Sequence, residues 1–256
     1  MSDTPVIEAL RVTKAYLSRE DEIQALEPVS FEIRPGEFVS LIGSSGCGKS
    51  TVLSLVAGLI QPTEGEVRIA GEKVEAPNRR VSYMLQRDCL LDWRTVEDNI
   101  FLGLEFRGMN DEATRKQARL LLKELGLEHI AKHFPSQLSG GMRQRVALVR
   151  TLAVQPKILL LDEPFSAVDY QNKLHLEELL IRALENRSMT VLLVTHDLEE
   201  ALAMSDRILV MGGRPGKIRR TLEVPEELRS ASPLEARGKP SFRPLFDVLW
   251  KEMELW

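Results

Sequence analysis

The chain has 256 residues, 43% hydrophobic and 28% charged. This is ordinary globular usage, which excludes a disordered, collagenous or coiled-coil chain and leaves room for one large domain or two small ones. Lys and Arg number 34 against 38 Asp and Glu, so the broad basic field that holds nucleic-acid phosphates is missing and no nucleic-acid partner is expected.

Val6–Val12 is a mostly apolar run of strand length, and Val29–Ile33 alternates apolar with polar. Pro35-Gly36 then signals a turn. Phe38–Ile42 reads as a buried strand that runs through a Gly/Ser loop into a helix from about Ser50 to Leu59. Val67–Ile69 and Val81–Met84 are further strands. From about Val96 to Leu152 the pattern is helical, with Asp111–Leu125 ending at Gly126 and Gly141–Leu152 followed by Pro156. Strand Ile158–Leu161, helix Leu174–Asn186, strand Thr190–Val194, helix Leu198–Met204 and strand Arg207–Met211 follow in turn. Such alternation implies a mainly parallel sheet with helices on its faces. After about Leu222 the composition turns to Pro, Glu and Arg. Phe242–Trp256 sets Phe246, Leu249, Trp250 and Met253 on one apolar helix face, which is expected to dock on the chain's own core.

Cys47 and Cys89 are too few for a disulfide framework or a four-cysteine zinc site, and they read as free thiols of a reducing compartment. No basic segment followed by an apolar run opens the chain, so no signal peptide is expected. The longest apolar runs, such as Val52–Ile60, fall short of the ~20 residues that cross a bilayer. Work at a membrane would go through partners.

Gly43-Ser44-Ser45-Gly46-Cys47-Gly48-Lys49-Ser50 fits the phosphate-binding pattern G-x-x-x-x-G-K-[ST], with a strand before it and a helix after it. Its glycines let backbone N–H groups close around phosphate oxygens at a helix N-terminus. Lys49 is placed to reach the β- and γ-phosphates and Ser50 to ligate Mg2+. Cys47 fills a variable position, and its side chain is assigned no chemistry. Ile158–Leu161 runs into Asp162-Glu163. A parallel sheet brings that end near the phosphate loop. Asp162 is the candidate Mg2+ carboxylate, acting through water, and Glu163 the candidate general base. Ser139-Gly140-Gly141 before a helix suits an anion, or serves as a simple N-cap. His129 and His133 lack a third ligand at zinc spacing and read as a solvated helix end. Arg143, Arg145 and Arg150 read as a solvated surface or an internal salt-bridge set.

Leu138-Ser139-Gly140-Gly141-Met142 resembles the L-S-G-G-Q signature of ATP-binding-cassette (ABC) ATPases, with Met142 at the last position. Across roughly residues 6 to 220 other elements resemble the family in its order. Tyr16 resembles the aromatic residue that stacks on adenine, Gln86 the glutamine that reports on Mg2+ and the attacking water, Ser166–Asp169 the D-loop, and His196 the switch histidine at the γ-phosphate. Without the family pattern, Gln86 and Asp169 read as loop residues and His196 as structural.

The resemblance implies an α/β P-loop NTPase with a RecA-like, mainly parallel sheet core, an N-terminal antiparallel β subdomain and an α-helical subdomain over about 88–152. Residues 1–221 form the cassette and 222–256 a C-terminal extension. ATP is bound by Tyr16, by 43–51 (Thr51 included) and, from a second cassette, by Ser139, Gly140, Gly141 and Asp169. Ser50, Gln86 and Asp162 serve Mg2+, and Glu163, His196 and Gln86 serve hydrolysis. Two cassettes dimerise head to tail around ATP, and the chain alone dimerises weakly. Trp93-Arg94-Thr95-Val96-Glu97-Asp98-Asn99 and Arg214-Pro215-Gly216 resemble the cassettes of nitrate, sulfonate and taurine importers. Asp92 stands where those carry Pro. The resemblance implies two permease subunits, an indirectly coupled substrate-binding protein, and a place on the cytoplasmic face of the membrane. Trp93 then lines the groove for a permease helix, or is half-buried packing. A soluble ABC ATPase and an exporter cassette are the competing readings.

Overall fold

The computed structural model describes residues 4–17, 21–185 and 189–254. The opening residues 1–3 and the expected helix ends Asn186 and Trp256 lie outside them. Strands β1 (Ile7–Leu17), β2 (Glu22–Ile33), β4 (Glu64–Ile69) and β5 (Glu72–Lys73) make an antiparallel sheet of order β2-β1-β4-β5. Strands β3 (Phe38–Gly43), β6 (Val81–Met84), β7 (Ile158–Asp162), β8 (Thr190–Thr195), β9 (Arg207–Gly212) and β10 (Lys217–Glu223) make a second sheet of order β10-β9-β3-β8-β7-β6. Its pairings are parallel except at β10, which closes one edge antiparallel to β9.

Strands β3, β7 and β8 are buried at every position. The two-residue strand period therefore feeds two separate cores. Val39, Leu41, Leu160, Leu192 and Val194 face the core beneath the antiparallel sheet. Ile42, Leu159, Leu161, Val191 and Leu193 face the helical side. Each such side chain contributes about 1.5–3 kcal/mol by leaving water. Helix α1 (Lys49–Val56) lies between the sheets, touching β1 and β4 on one side and β3, β7 and β8 on the other. It ends before the expected Leu59, and the chain turns through Gly58.

The helical side holds α2 (Val96–Arg107), α3 (Glu112–Glu124), α4 (Gly140–Ala153), α5 (Tyr170–Glu185) and α6 (Leu198–Met204). Thr95, Asp111 and Ser139 cap α2, α3 and α4 by accepting the N–H three residues on, and Asp197 caps α6 through the N–H groups of Glu199 and Glu200. The tail carries α7 (Glu226–Arg229), α8 (Pro233–Arg237) and α9 (Phe242–Glu254). Leu222, Leu228, Ala236, Phe242 and Leu249 join the helical-side core, and α9 packs on α6. The apolar face expected on α9 is split. Leu249 is fully buried, whereas Trp250 is 51% exposed and stacks on Phe246 at 6.0 Å. Leu249 therefore lies at the centre of the docked stripe and Trp250 at its rim. No described helix is long and apolar enough to cross a membrane.

One buried feature is ionic. Lys173 on α5 pairs with Glu200 on α6 at 2.9 Å and with Asp197, and stands 3.9 Å from Glu177. Arg237 on α8 reaches Glu177 at 2.8 Å and Glu199 at 3.5 Å. Burial raises the Glu200 carboxyl to about 7, with the Glu177 and Asp197 charges adding to the rise and Lys173 opposing it. The unfolded chain releases this proton near the ordinary carboxyl value. Between that value and about 7 only the folded chain holds it. The contribution to stability is full below the ordinary value and lost as pH rises towards 7. The melting temperature should therefore fall more steeply from pH 5 to 8 in the wild type than in Glu200→Gln, where a neutral amide stands throughout. Equal slopes in thermal melts across that range would contradict the assignment.

Candidate nucleotide-hydrolysis site

Strand β3 delivers the chain through 43–48 to the first turn of α1. Gly48 precedes the helix at φ 94, no side chain caps α1, and its first turn carries no acid. The leading N–H groups are left for an outside acceptor, and the helix dipole favours an anion there. Lys49 is 7% exposed, and its Nζ donates to the carbonyl oxygens of Gly43 at 2.8 Å and Ser44 at 3.0 Å. No carboxylate among the described residues forms an ion pair with it. A buried ammonium held only by carbonyl dipoles is under-compensated. A polyphosphate supplies the missing charge, so the loop fits a nucleoside triphosphate.

Ser50 Oγ donates to Asp162 Oδ1 at 3.3 Å, and the Tyr83 hydroxyl donates to Asp162 Oδ2 at 3.2 Å. Burial pushes the Asp162 carboxyl up, and it pushes the Tyr83 phenol up as well, with the Asp162 charge adding. The phenol therefore stays a donor. A divalent cation beside these oxygens relieves the burial penalty on Asp162. Hydroxyl and carboxylate are hard donors suited to Mg2+, which keeps few protein ligands and takes the rest from phosphate and water. The described residues contain no cluster of three His, Cys, Asp or Glu that would hold a metal by itself.

Three loops meet at Glu163. Its own follows β7, and its N–H donates to the carbonyl of Val194 at 2.8 Å. Gln86, after β6, donates from Nε2 to Glu163 Oε2 at 3.0 Å. His196, after β8, stands with Nδ1 3.3 Å from Glu163 Oε1. Glu163 has φ 49, in the left-handed region that costs a non-glycine residue about 1–3 kcal/mol. Strain of this kind concentrates where a side chain must be aimed. The arrangement can hold a water beside a carboxylate at the mouth of the phosphate loop.

Other expected residues spread around this centre. Tyr16, 42% exposed on β1, has its hydroxyl 3.5 Å from Thr51 Oγ1. Ser139 caps α4 through the N–H of Met142, while Gly140 and Gly141 lie near Ala167 and Val168. Gln144 on α4 bonds Ser166 and the N–H of Ala167. The signature thus touches its own D-loop, and no hydrogen bond among the described residues joins Ser139, Gly140 or Gly141 to the phosphate loop. Asp169 is engaged with Asn172, whose bonds hold its carboxyl below the ordinary range.

The internal salt-bridge reading fits Arg143, which grips Asp88 at 2.8 and 3.0 Å and reaches Asp92 at 3.4 Å. Arg150 donates to the carbonyl of Cys89 at 2.8 Å. Together they tie the loop that follows Gln86 to α4. The buried amide of Asn99 binds the carbonyls of Leu91, Arg94 and Thr95 and accepts from the N–H of Leu91. That staple fixes the loop beneath Trp93, which is 76% exposed. The half-buried alternative for Trp93 is not met.

Sequence reasoning gave Tyr83 no role at Asp162 and did not place the turn at Arg214 against the phosphate loop. Arg214 donates to the Ser45 carbonyl at 2.7 Å. Gly216 bonds the backbone of Ala25 and Glu27 at 2.9 Å each, and a Cβ on it would lie 1.8 Å from the Cys47 carbonyl oxygen. The Arg-Pro-Gly tripeptide was visible as a subfamily feature. Its contact spans 169 positions, which spacing along the chain cannot show.

Comparison with known proteins agrees with this geometry. Residues 26–166 match the family described as ABC transporter. The uncharacterised ABC transporter ATP-binding protein YtlC of Bacillus subtilis is 46% identical over 94% of this chain and 93% of its own length. The aliphatic sulfonates import ATP-binding protein SsuB of Bacillus cereus is 38% identical, covering 89% and 91%. The nitrate import ATP-binding protein NrtD of Synechocystis is also 38% identical, covering 85% and 82%. Among solved structures, the dimeric post-hydrolysis state of the ATP-binding cassette MJ0796 bound to ADP and Pi superposes with a TM-score of 0.77 at 37% identity, covering 86% of this chain and 99% of that one.

The contact at Gly216 generates a test. Gly216→Ala forces the turn off the phosphate loop and should weaken binding of a fluorescent ATP analogue roughly tenfold, equivalent to about 1.4 kcal/mol. An unchanged dissociation constant would show that the turn does not support the loop.

Proposed function

The chain belongs to the ABC transporter family of ATP-hydrolysing cassettes, and on that footing we propose that it energises a membrane importer for a small anion such as nitrate, a sulfonate or taurine. The observation that carries the catalytic part is the convergence of Gln86 and His196 on Glu163, beside the phosphate loop. Lys49 and the N–H groups of 43–51 bind the phosphates of ATP. Tyr16 offers an exposed ring for adenine. Glu163 takes the proton of the attacking water, Gln86 orients that water, and His196 donates to the γ-phosphate. Ser50 and Asp162, with Gln86, hold Mg2+, whose charge offsets that of the phosphates.

Two copies work head to tail, so that Ser139, Gly140, Gly141 and Asp169 serve the partner's nucleotide. The exposed N-terminus of α4, which no hydrogen bond among the described residues joins to the phosphate loop, supports this. ATP then joins two chains, and hydrolysis removes part of the link. The pinned loop of Trp93 presents a large apolar side chain on a bonded backbone, as an interface anchor requires. We assign that loop to one of two permease subunits on the cytoplasmic face of the membrane. A substrate-binding protein acts through the permease only. The division into a cassette over 1–221 with a helical subdomain near 88–152, and an extension over 222–256, belongs to the same proposal. The relatives named for sulfonate and nitrate import support the anion class.

Glu163→Gln tests both parts. The purified variant should bind ATP as the wild type does and hydrolyse it about 10²–10⁴-fold more slowly. Carrying a tag in its native host and trapped with ATP, it should bring down a multi-span permease from mild detergent, and adding Trp93→Ala should weaken that recovery. Wild-type turnover would overturn the general-base assignment. Recovery of soluble proteins alone would overturn the transport reading.

A further inference from the structure

The ion cluster between α5, α6 and α8 lies directly behind the hydrolysis site. Asp197 is the residue after His196, and His196 stands 3.3 Å from Glu163. Asp197 Oδ1 accepts the N–H groups of Glu199 at 2.9 Å and Glu200 at 3.1 Å, while its Oδ2 accepts from Lys173. Lys173 thus pins the loop that presents His196. The same ammonium also pairs with Glu200 at 2.9 Å and is 3.9 Å from Glu177. It is one cation shared among three carboxylates.

Glu177 has a side-chain exposure of 0%. A carboxylate so buried must find a cation or take up a proton. Arg237 supplies the cation, with one guanidinium nitrogen 2.8 Å from Oε2 and another donating to Oε1 at 3.1 Å. Arg237 is itself 11% exposed at its side chain and also bonds the Pro233 carbonyl at 2.8 Å, which fixes it to its own helix. Because Arg237 answers Glu177, Lys173 is free to answer Asp197. Without it, Glu177 draws Lys173 over the short distance that separates them, and Asp197 loses its partner.

We propose that Arg237, carried by the C-terminal extension, is a positioning residue for ATP hydrolysis: by neutralising Glu177 it keeps Lys173 on Asp197 and so holds His196 at Glu163. The proposal rests on the reading of Glu163 and His196 as the hydrolytic pair. Arg237 bonds Glu177, Glu199 and the Pro233 carbonyl rather than Glu163 or His196. Its effect reaches the site through side chains on α5 and α6, and it gives the extension a function in catalysis besides its packing.

The test is steady-state ATPase kinetics on the full chain for Arg237→Met, Arg237→Lys and Glu177→Gln/Arg237→Met, with Glu163→Gln alongside. Arg237→Met should lose about 10- to 100-fold in kcat, the usual result of a small misplacement, while KM for ATP stays within about twofold. Arg237→Lys should recover part of the loss. The double variant should return to within about threefold of the wild-type kcat, because a neutral amide at 177 no longer draws Lys173 away. A merely structural role predicts that kcat follows the melting temperature across the variants, whereas the proposal predicts the loss of kcat in Arg237→Met at temperatures where the variant is fully folded. Wild-type kcat in Arg237→Met overturns the proposal, as does a double variant as slow as the single one. If Arg237→Met fails to fold, the double variant and Arg237→Lys decide, and slow turnover with unchanged melting temperature in the double variant overturns it. Unchanged turnover in Glu163→Gln is a separate result, since it removes the hydrolytic pair on which the proposal rests.

Discussion

A buried cation with no carboxylate paired to it among the described residues sets the terms for this molecule. Lys49 lies at the start of α1, held by two carbonyl oxygens, with the free N–H groups of an uncapped helix beside it. The phosphate loop itself is positively disposed, and burial makes that disposition expensive until an anion arrives. The two-sided burial of β3, β7 and β8 keeps this arrangement in place. Their alternating side chains pin the sheet between two cores, which fixes the points from which the loops at their carboxyl ends spring.

The same edge concentrates the negative groups. Asp162 and Glu163 end one strand but face different tasks. Asp162 is buried, bonded by Ser50 and Tyr83, and suited to a cation. Glu163 is turned out by a left-handed backbone and met by Gln86 and His196 from the neighbouring strands' loops. One carboxylate is thereby fixed near the phosphate charge and the other is aimed at the space beside it. Ser139 opens α4 at an exposed end, and no hydrogen bond among the described residues joins it to the phosphate loop.

Much of this was legible in the sequence, and the reasons differ by element. The phosphate loop and the apolar run into Asp162-Glu163 are local patterns, so their strand and helix context could be read directly. Strand β10 and helices α7 and α8 were not read, because short polar-rich segments take their structure from what they pair with. Glu177, Glu200 and Lys173 carry the composition of a solvated helix face, yet Glu200 and Glu177 have side-chain exposures of 4% and 0%. Nothing in helical spacing says that α6 and α8 will close over them. Asn99 was quoted as part of a subfamily pattern, and the structure supplies its physical reason: one buried amide satisfies the backbone beneath Trp93.

The account stands or falls on the site being shared between two chains. The most direct measurement is light scattering on purified Glu163→Gln, run without nucleotide and then with ATP and Mg2+. The account predicts a monomer that becomes a dimer on adding ATP, with dimerisation lost when Ser139→Arg places a bulky cation at the signature. A chain that binds ATP yet stays monomeric, or one whose ATP-dependent dimer survives Ser139→Arg, would contradict it.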